Sequence, residues 1–179
     1  MVASEIPPLN IAKINVNSGG GTIGISICPG LKDLSALVNR MHRDLEEDVK
    51  TISSWNANAV LTLMEEKELQ KFGVENLGEV MSRYKIDWYQ MPIQDMCTPD
   101  KKVEEMWEVI GKALGSIIKS GGKVLIHCRG GLGRSGMVAA RILVELGWTP
   151  EVAIQKVRDV RPGAIETREQ ERFVFAVSI

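Results

Sequence analysis

Short apolar segments alternate along the chain with longer segments in which the apolar residues recur at helical spacing. Residues 57–64, 84–93 and 123–126 have the apolar character of buried strands. The clearest helical stripe lies between the last two, at Val103, Met106, Trp107, Ile110, Leu114, Ile117 and Ile118. This alternation predicts an α/β fold in which a central mixed sheet with a parallel core is flanked by helices on both faces. We expect residues 1–179 to form a single domain.

The segments outside this region have patterns of their own. Residues 1–10 lack periodicity and predict an extended arm, and isoleucines that alternate after a glycine-rich turn predict a β-hairpin over residues 11–28. A helical region is predicted to begin at Leu31, with an apolar face formed by Leu34, Leu37, Val38 and Met41. Thr149 followed by a proline predicts another helix start, and the last helix is expected over 167–177.

The segment 127–135, HCRGGLGRS, follows the strand 123–126 directly, and helical spacing begins again at Met137. A glycine-rich loop between a strand and a helix turns successive backbone N–H groups inward, and the helix adds the positive end of its dipole. Cys128 stands where such a field favours a thiolate, and Arg134 can offer a planar guanidinium to two oxygens of a phosphate. The pattern therefore predicts a thiol nucleophile beneath a phosphate-binding loop.

The composition restricts the ligands and the cellular setting. A formal net charge of −1 provides no general basic surface, so neither nucleic acid nor an anionic membrane is an expected partner. Three cysteines are too few, and odd in number, for a disulfide framework, and this favours a reducing, cytoplasmic setting. Two histidines make a closed zinc site difficult to assemble, and we expect neither a metal nor another cofactor.

The segment 127–135 resembles the signature of the cysteine-dependent protein tyrosine phosphatase superfamily, which reads His-Cys, five further residues, Arg, and then Ser or Thr. Its glycine positions are similar to those of the dual-specificity branch. The likeness to kinase-associated members of that branch extends over residues 25–175. It includes residues 92–95, which correspond to the loop that carries the family's general acid (the acid loop), and residues 163–170, which correspond to the family's last loop. One departure is Glu166, which stands where the family often has glutamine.

The resemblance implies a role for each residue of the site. Cys128 would attack phosphorus and form a cysteinyl-phosphate, Asp95 would protonate the leaving oxygen, and Ser135 would help the sulfur to leave in the second step. Gln170 would orient the attacking water, and His127 would support the loop from behind. The phosphate would be bound by Arg129, Gly130, Gly131, Leu132, Gly133 and Arg134. No metal would be required, because the guanidinium and the loop N–H groups supply positive charge.

Some of these assignments have alternatives in the sequence. Asp87 and Asp100 compete with Asp95 as general acid, because a lone aspartate in a loop is more often a turn or cap residue. Thr98 and Asp100 are both candidate caps of the helix that follows. An ordinary surface position is the alternative for Gln170.

The loop and its surroundings allow further interpretations. A buried core thiol is the alternative for Cys128, although the loop residues in register argue against it. Arg129 is expected to point outward, either toward an anionic substrate surface or into solvent. Arg158 and Arg161 are expected to form fold-supporting salt bridges, and Cys97 to be a solitary loop thiol. A close approach that a Cβ would obstruct is expected at Gly130, Gly131 and Gly133.

The predicted reaction is hydrolysis of phosphomonoesters on proteins. Tyrosine-only members of the superfamily have an additional recognition loop without a counterpart here, so we expect phosphoserine and phosphothreonine to be accepted as well as phosphotyrosine. The alternatives are a catalytically silent phosphate-binding module on the same fold and a phosphatase of lipid or nucleotide phosphates. Arsenate reductases and rhodanese-like sulfurtransferases also have a Cys-x5-Arg loop, but its position or its residues differ. The oligomeric state does not follow from the sequence.

Overall fold

The chain folds into strands and helices in a computed structural model, which describes residues 6–17, 20–33, 35 and 41–178. The strands are β1 (Ala12–Asn15), β2 (Thr22–Ser26), β3 (Lys32–Asp33), β4 (Met41–His42), β5 (Ala59–Thr62), β6 (Asp87–Gln90) and β7 (Lys123–His127). The helices are α1 (Leu45–Ser54), α2 (Glu66–Lys71), α3 (Leu77–Arg83), α4 (Lys101–Lys119), α5 (Gly133–Glu145), α6 (Pro150–Val160) and α7 (Arg168–Phe175).

Five of the strands form one sheet in the order β1-β2-β7-β5-β6. The strands β2, β7, β5 and β6 are parallel, so that Ile126 lies between Ile25 and Leu61, whereas β1 is antiparallel to β2. The predicted mixed sheet with a parallel core is confirmed. Its parallel strands end at one edge, and ligands bind beyond the carboxyl ends of the strands in sheets of this kind.

Helices cover both faces of the sheet because its central strands are apolar on both sides. Leu61 and Ile126 pack against residues of α4, α5, α6 and α7. Their neighbours Val60 and Leu125 point to the opposite face, where they pack against α1 and α3. All four side chains are fully buried. The prediction of helices on both faces is confirmed.

The helical region predicted to begin at Leu31 is wrong where the structure describes it. The short strands β3 and β4 pair there in antiparallel fashion, and α1 begins only at Leu45. The carbonyl oxygen of Leu31 accepts from the N–H of Arg43 at 3.0 Å, so a tertiary contact takes an acceptor that a helix would have used for the N–H four residues later. Three positions of the predicted apolar face lie outside the described residues, namely Leu34, Leu37 and Val38.

Side-chain caps mark the starts of three helices. Asp100 accepts a hydrogen bond from the N–H of Val103 at 2.9 Å and is therefore the cap of α4. Thr149 caps α6 directly before its first proline, and Thr167 caps α7. None of the helices in the described ranges has the length and hydropathy needed to cross a membrane.

Candidate active site

The glycine-rich loop lies between the carboxyl end of β7 and the first residue of α5. The backbone N–H groups of residues 129–134 have no hydrogen-bond acceptor among the described residues. The loop carbonyls, by contrast, are bonded. Leu132 accepts from the N–H of Ile165 at 3.1 Å, and the guanidinium of Arg161 donates to two loop carbonyls at 2.9 and 3.0 Å. The loop is therefore held through its carbonyls, and its N–H groups remain for an anion.

Two of the three loop glycines stand where a side chain would collide with the protein. Gly131 has a φ of +66°, and a Cβ there would lie 2.5 Å from the carbonyl oxygen of Ser26. A Cβ on Gly133 would displace the end of the exposed Glu166 side chain and would lie 3.1 Å from the amide of Gln170, which is fully buried. The expectation is wrong for Gly130, because no atom of the described residues lies within 4 Å of its Cβ position.

Cys128 lines a cleft of about 500 Å³ beyond the carboxyl edge of the sheet. Its side chain is 3% exposed, and its Sγ lies 3.4 Å from the Oγ of Ser135 in the first turn of α5. The other residues that line the cleft are Ile27, Leu31, Asp33, Asp95, Met96, Arg129, Gly130, Arg161 and Glu166. A hydroxyl at this distance is placed to donate to a sulfur anion.

Arg134 is buried behind the loop and is held by three hydrogen bonds. Its Nη1 and Nη2 donate to the two carboxylate oxygens of Glu68 at 2.8 and 2.9 Å, and Nη1 also donates to the carbonyl oxygen of Ile93. Burial alone would lower the pKa of Arg134, but the hydrogen bonds to Glu68 and the nearby thiol hold this pKa above its ordinary value. Its Nε is buried and has no partner among the described residues. The guanidinium is thus fixed in place with one donor available.

Glu68 is a site residue that the sequence analysis missed. Burial would raise the pKa of its carboxyl, but the hydrogen bonds from Arg134 and from the N–H of Glu65 lower the pKa below its ordinary value. Glu65 and Glu68 form a reciprocal capping box at the start of α2. The spacing of these two residues indicates a helix start in the sequence. It does not show that the helix places Glu68 next to Arg134 at the glycine-rich loop.

His127 is fully buried behind the loop at the end of β7. Its Nδ1 lies 3.2 Å from the carbonyl oxygen of Cys128, which can only accept, so Nδ1 bears the proton. Its Nε2 then accepts from the hydroxyl of Thr62 at 2.7 Å, and that hydroxyl accepts from the indole of Trp88. Burial lowers the pKa of His127 from 6.5 to about 4, so the ring is neutral near pH 7.

Asp95 lies at the rim of the cleft, 3.2 Å from Nη2 of Arg134. Its side chain is 52% exposed, and Met96 beside it has a φ of +64°, which holds the loop in a tight turn. Of its two competitors, Asp100 is engaged as the cap of α4, and Asp87 begins β6 and so lies at the opposite end of that strand. Of the three aspartates, Asp95 is the one that lines the cleft.

Gln170 is fully buried and not an ordinary surface residue. Its Oε1 accepts from the N–H groups of Glu166 and Thr167 at 3.0 and 3.2 Å, and its Nε2 donates to the carbonyl oxygen of Cys97 at 3.3 Å. The side chain therefore links the last loop to the acid loop. The thiol of Cys97 is free and half-buried.

The basic residues around the loop are largely engaged within the protein. Arg129 pairs with the carboxylate of Asp33, and its guanidinium carbon lies 5.1 Å from the centre of the Phe72 ring. It is therefore neither free in solvent nor directed only outward. Arg158 forms the expected salt bridge, with Glu171 at 2.7 Å. Arg161 instead bonds the loop carbonyls, and no group of three or more metal-ligating side chains occurs among the described residues.

Comparison with known proteins decides the family. A family model described as "Swiss Army Knife protein, DSP-PTPase phosphatase domain" matches residues 35–174. The chain belongs to the dual-specificity phosphatases. The resemblance of the signature segment is thus confirmed, and so is the assignment of the chain as a phosphatase.

Two similar proteins match more than nine tenths of this dual-specificity phosphatase, and a third matches about half of it. "Cyclin-dependent kinase inhibitor 3" of Rattus norvegicus is 33% identical over 173 residues, which are 95% of this chain and 76% of the relative. The Homo sapiens protein of that name is 32% identical and covers 93% and 74% of the two chains. "Protein tyrosine phosphatase type IVA 3" of Homo sapiens is 38% identical over 84 residues, 47% of this chain and 46% of the relative.

Solved structures show the same fold. A kinase-associated phosphatase in which a serine replaces the catalytic-site cysteine superposes with a TM-score of 0.82 at 29% identity, and the match covers 98% of this chain and 100% of the other. The active form of Tk-PTP gives a TM-score of 0.67 at 27% identity, with 91% and 93% covered.

Proposed function

We propose that this phosphatase hydrolyses phosphomonoesters on proteins through a cysteinyl-phosphate formed on Cys128. The observation that supports this most directly is the buried Nε of Arg134, which has no hydrogen-bond partner among the described residues. An unpaired buried donor is costly unless a ligand satisfies it, and this donor belongs to the same loop as the unpaired N–H groups of residues 129–134. One equatorial phosphate oxygen can accept from this Nε while the loop N–H groups bond the others.

In the first step, the Sγ of Cys128 attacks phosphorus as the bond to the ester oxygen breaks. Asp95 donates a proton to that oxygen, so the alcohol or phenol leaves in neutral form. In the second step, a water oxygen attacks phosphorus and the S–P bond breaks. Asp95 takes the proton of the water, and Ser135 donates a hydrogen bond to the departing sulfur, 3.4 Å away.

Charge stabilisation in both steps falls to the loop N–H groups and to Arg134. The negative charge of the transition state is spread over three equatorial oxygens, so fixed donors around them account for most of the catalysis. Glu68 and Ile93 hold the guanidinium in one orientation, which is the pre-organisation that this mechanism needs. We propose that no metal takes part.

The substrates that we propose are phosphotyrosine, phosphoserine and phosphothreonine residues of proteins. The names of two relatives mention cyclin-dependent kinases or kinase association, which supports a phosphoprotein and does not identify one. The three cysteines are free, and this supports a reducing, cytoplasmic setting for a thiol enzyme.

Turnover of para-nitrophenyl phosphate and of phosphopeptides, in reductant with EDTA, tests the proposal. We expect turnover that survives chelation, is abolished in Cys128→Ser and is kept in Cys97→Ser, a matched change at another free thiol. Arg134→Lys should lose most of the turnover, because an ammonium cannot replace the planar set of N–H donors of a guanidinium. A wild-type protein that binds vanadate without any turnover would instead be a silent phosphate-binding module.

A further inference from the structure

Glu166 places a carboxylate at the mouth of the cleft. The side chain lies against Gly133, the first residue of α5, and lines the cleft together with Cys128 and Asp95. It takes part in none of the ion pairs found among the described residues. Its neighbour Gln170 is already engaged through both its amide oxygen and its amide nitrogen. Thr167 caps α7, so among the described residues 162–167 Glu166 is the polar side chain that has no bonded partner and remains available to a substrate.

The other charges of the cleft largely compensate one another. Arg129 pairs with Asp33, while Arg134 bonds both carboxylate oxygens of Glu68 and lies 3.2 Å from Asp95. Among the described residues, Arg134 is therefore already shared between two carboxylates before a phosphate arrives, whereas Arg161 at the edge of the cleft bonds only neutral carbonyls and keeps its charge.

Of the basic residues nearby that the structure describes, none pairs with Glu166. Arg161 donates to two loop carbonyls, and lysines of α2 lie in an adjoining hollow, where Lys67 pairs with Glu65 at 3.2 Å. A phosphate that binds under the loop thus meets an additional negative charge on the side of the last loop. Such a charge weakens binding of the phosphate unless the substrate supplies a cation.

We propose that Glu166 recognises a basic side chain next to the phosphorylated residue, so that the cleft selects phosphoprotein segments with an adjacent lysine or arginine. This inference rests on the function proposed above and names the substrate class of the same site. Polyanionic substrates, such as lipids with several phosphates, are rejected for the same electrostatic reason. Glu166 acts here as a specificity-determining residue and takes no part in the proton transfers assigned to Asp95.

Two phosphotyrosine peptides of equal length test the proposal, one with lysine and one with glutamine on both sides of the phosphotyrosine. The wild-type ratio of kcat/KM should favour the lysine peptide by about tenfold, as expected for one partly screened charge pair. The preference should fall to about equality in Glu166→Gln and should shrink as salt is added. It should persist in Glu169→Gln, which removes an exposed carboxylate from the first turn of α7.

The same peptides bound to Cys128→Ser, with and without Glu166→Gln, separate recognition from turnover. A lysine preference in affinity that depends on Glu166 supports the inference even if wild-type protein turns over neither peptide, an outcome that would refute only the proposed catalysis. Equal kcat/KM for the two wild-type reactions, or a preference that survives Glu166→Gln, would overturn the inference while leaving the phosphatase function intact.

Discussion

Removal of the Glu68 carboxylate should weaken both catalysis and the fold, although Glu68 lies outside the signature loop. Its two oxygens accept parallel hydrogen bonds from Arg134 at 2.8 and 2.9 Å. The Arg134 side chain is 1% exposed and that of Glu68 is 13% exposed, so the pair is largely withdrawn from water. In Glu68→Ala, two buried N–H donors lose their partner, and the guanidinium is held less firmly, through Ile93 and Asp95.

The expected loss follows from the burial of the pair. Breaking a buried ion pair by removing one partner costs about 3–5 kcal/mol, and the partial exposure of Glu68 reduces this to about 2–3 kcal/mol of unfolding free energy. Arg134 keeps its bond to Ile93, so the loop should still form. A misplaced guanidinium should lower kcat/KM by about 100-fold, as displacements of about 1 Å do in other active sites.

Chemical denaturation and para-nitrophenyl phosphate kinetics measure the two effects. The matched control is Glu66→Ala, which removes an exposed carboxylate from the same helix. The lowered pKa of Glu68 also predicts the direction of a pH effect on stability. The stability that Glu68 contributes is fully present above the ordinary carboxyl pKa and is lost as the pH falls through the lowered pKa. The difference in unfolding free energy between wild type and Glu68→Ala should therefore decrease as the pH falls into the acid range.

The effect on catalysis should also be linked to Arg134. Losses in Glu68→Ala and Arg134→Lys should not add in the double variant, because one residue acts through the other. If Glu68→Ala matched Glu66→Ala in stability and in kcat/KM, or if its losses added fully to those of Arg134→Lys, the positioning role of Glu68 would be refuted.

Three further predictions concern the acid, the histidine behind the loop and the loop backbone. Asp95→Asn should slow hydrolysis of phosphoserine by about 100-fold or more but para-nitrophenyl phosphate far less, since a good leaving group needs no proton, and equal losses for the two substrates would argue against this acid. The pKa of His127 is lowered from 6.5 to about 4, so the unfolded state binds the proton first as the pH falls. His127 should then reduce the unfolding free energy by about 3 kcal/mol between about pH 7 and about pH 4. This contribution should be absent in His127→Asn but persist in His42→Asn, which changes the exposed histidine. Gly131→Ala should abolish vanadate binding, because the φ of this residue is +66° and its Cβ would collide with backbone atoms. Gly130→Ala should bind vanadate normally. Equal binding by the two variants would contradict the geometry described for the glycine-rich loop.

The core of the site could be predicted because its chemistry is local in sequence. Cys128, Arg134 and Ser135 lie on one strand-loop-helix unit, whose backbone path follows from the apolar run, the glycines and the helical spacing. The alternation of β5, β6 and β7 with helices was predictable for the same reason, since apolar runs and helical spacing are local patterns.

The remaining features depend on contacts between distant segments, which periodicity does not encode. Glu68 reaches Arg134 from 66 positions away in the sequence, and nothing in α2 indicates its orientation. The pairing of β3 with β4 overrides a helical pattern, because backbone groups near Leu31 find partners elsewhere in the fold. The contact between Glu166 and Gly133 is equally a result of the folded arrangement.

The most direct test of the mechanism is to trap the phosphoenzyme. Wild-type protein mixed with a radiolabelled phosphotyrosine peptide and quenched with denaturant within the first turnover should contain phosphate on the peptide that includes Cys128. Mass spectrometry should locate that phosphate on the sulfur of Cys128. The variant Cys128→Ser should show no turnover and no cysteinyl-phosphate. Label on a different residue, or full turnover in Cys128→Ser, would contradict a cysteinyl-phosphate mechanism.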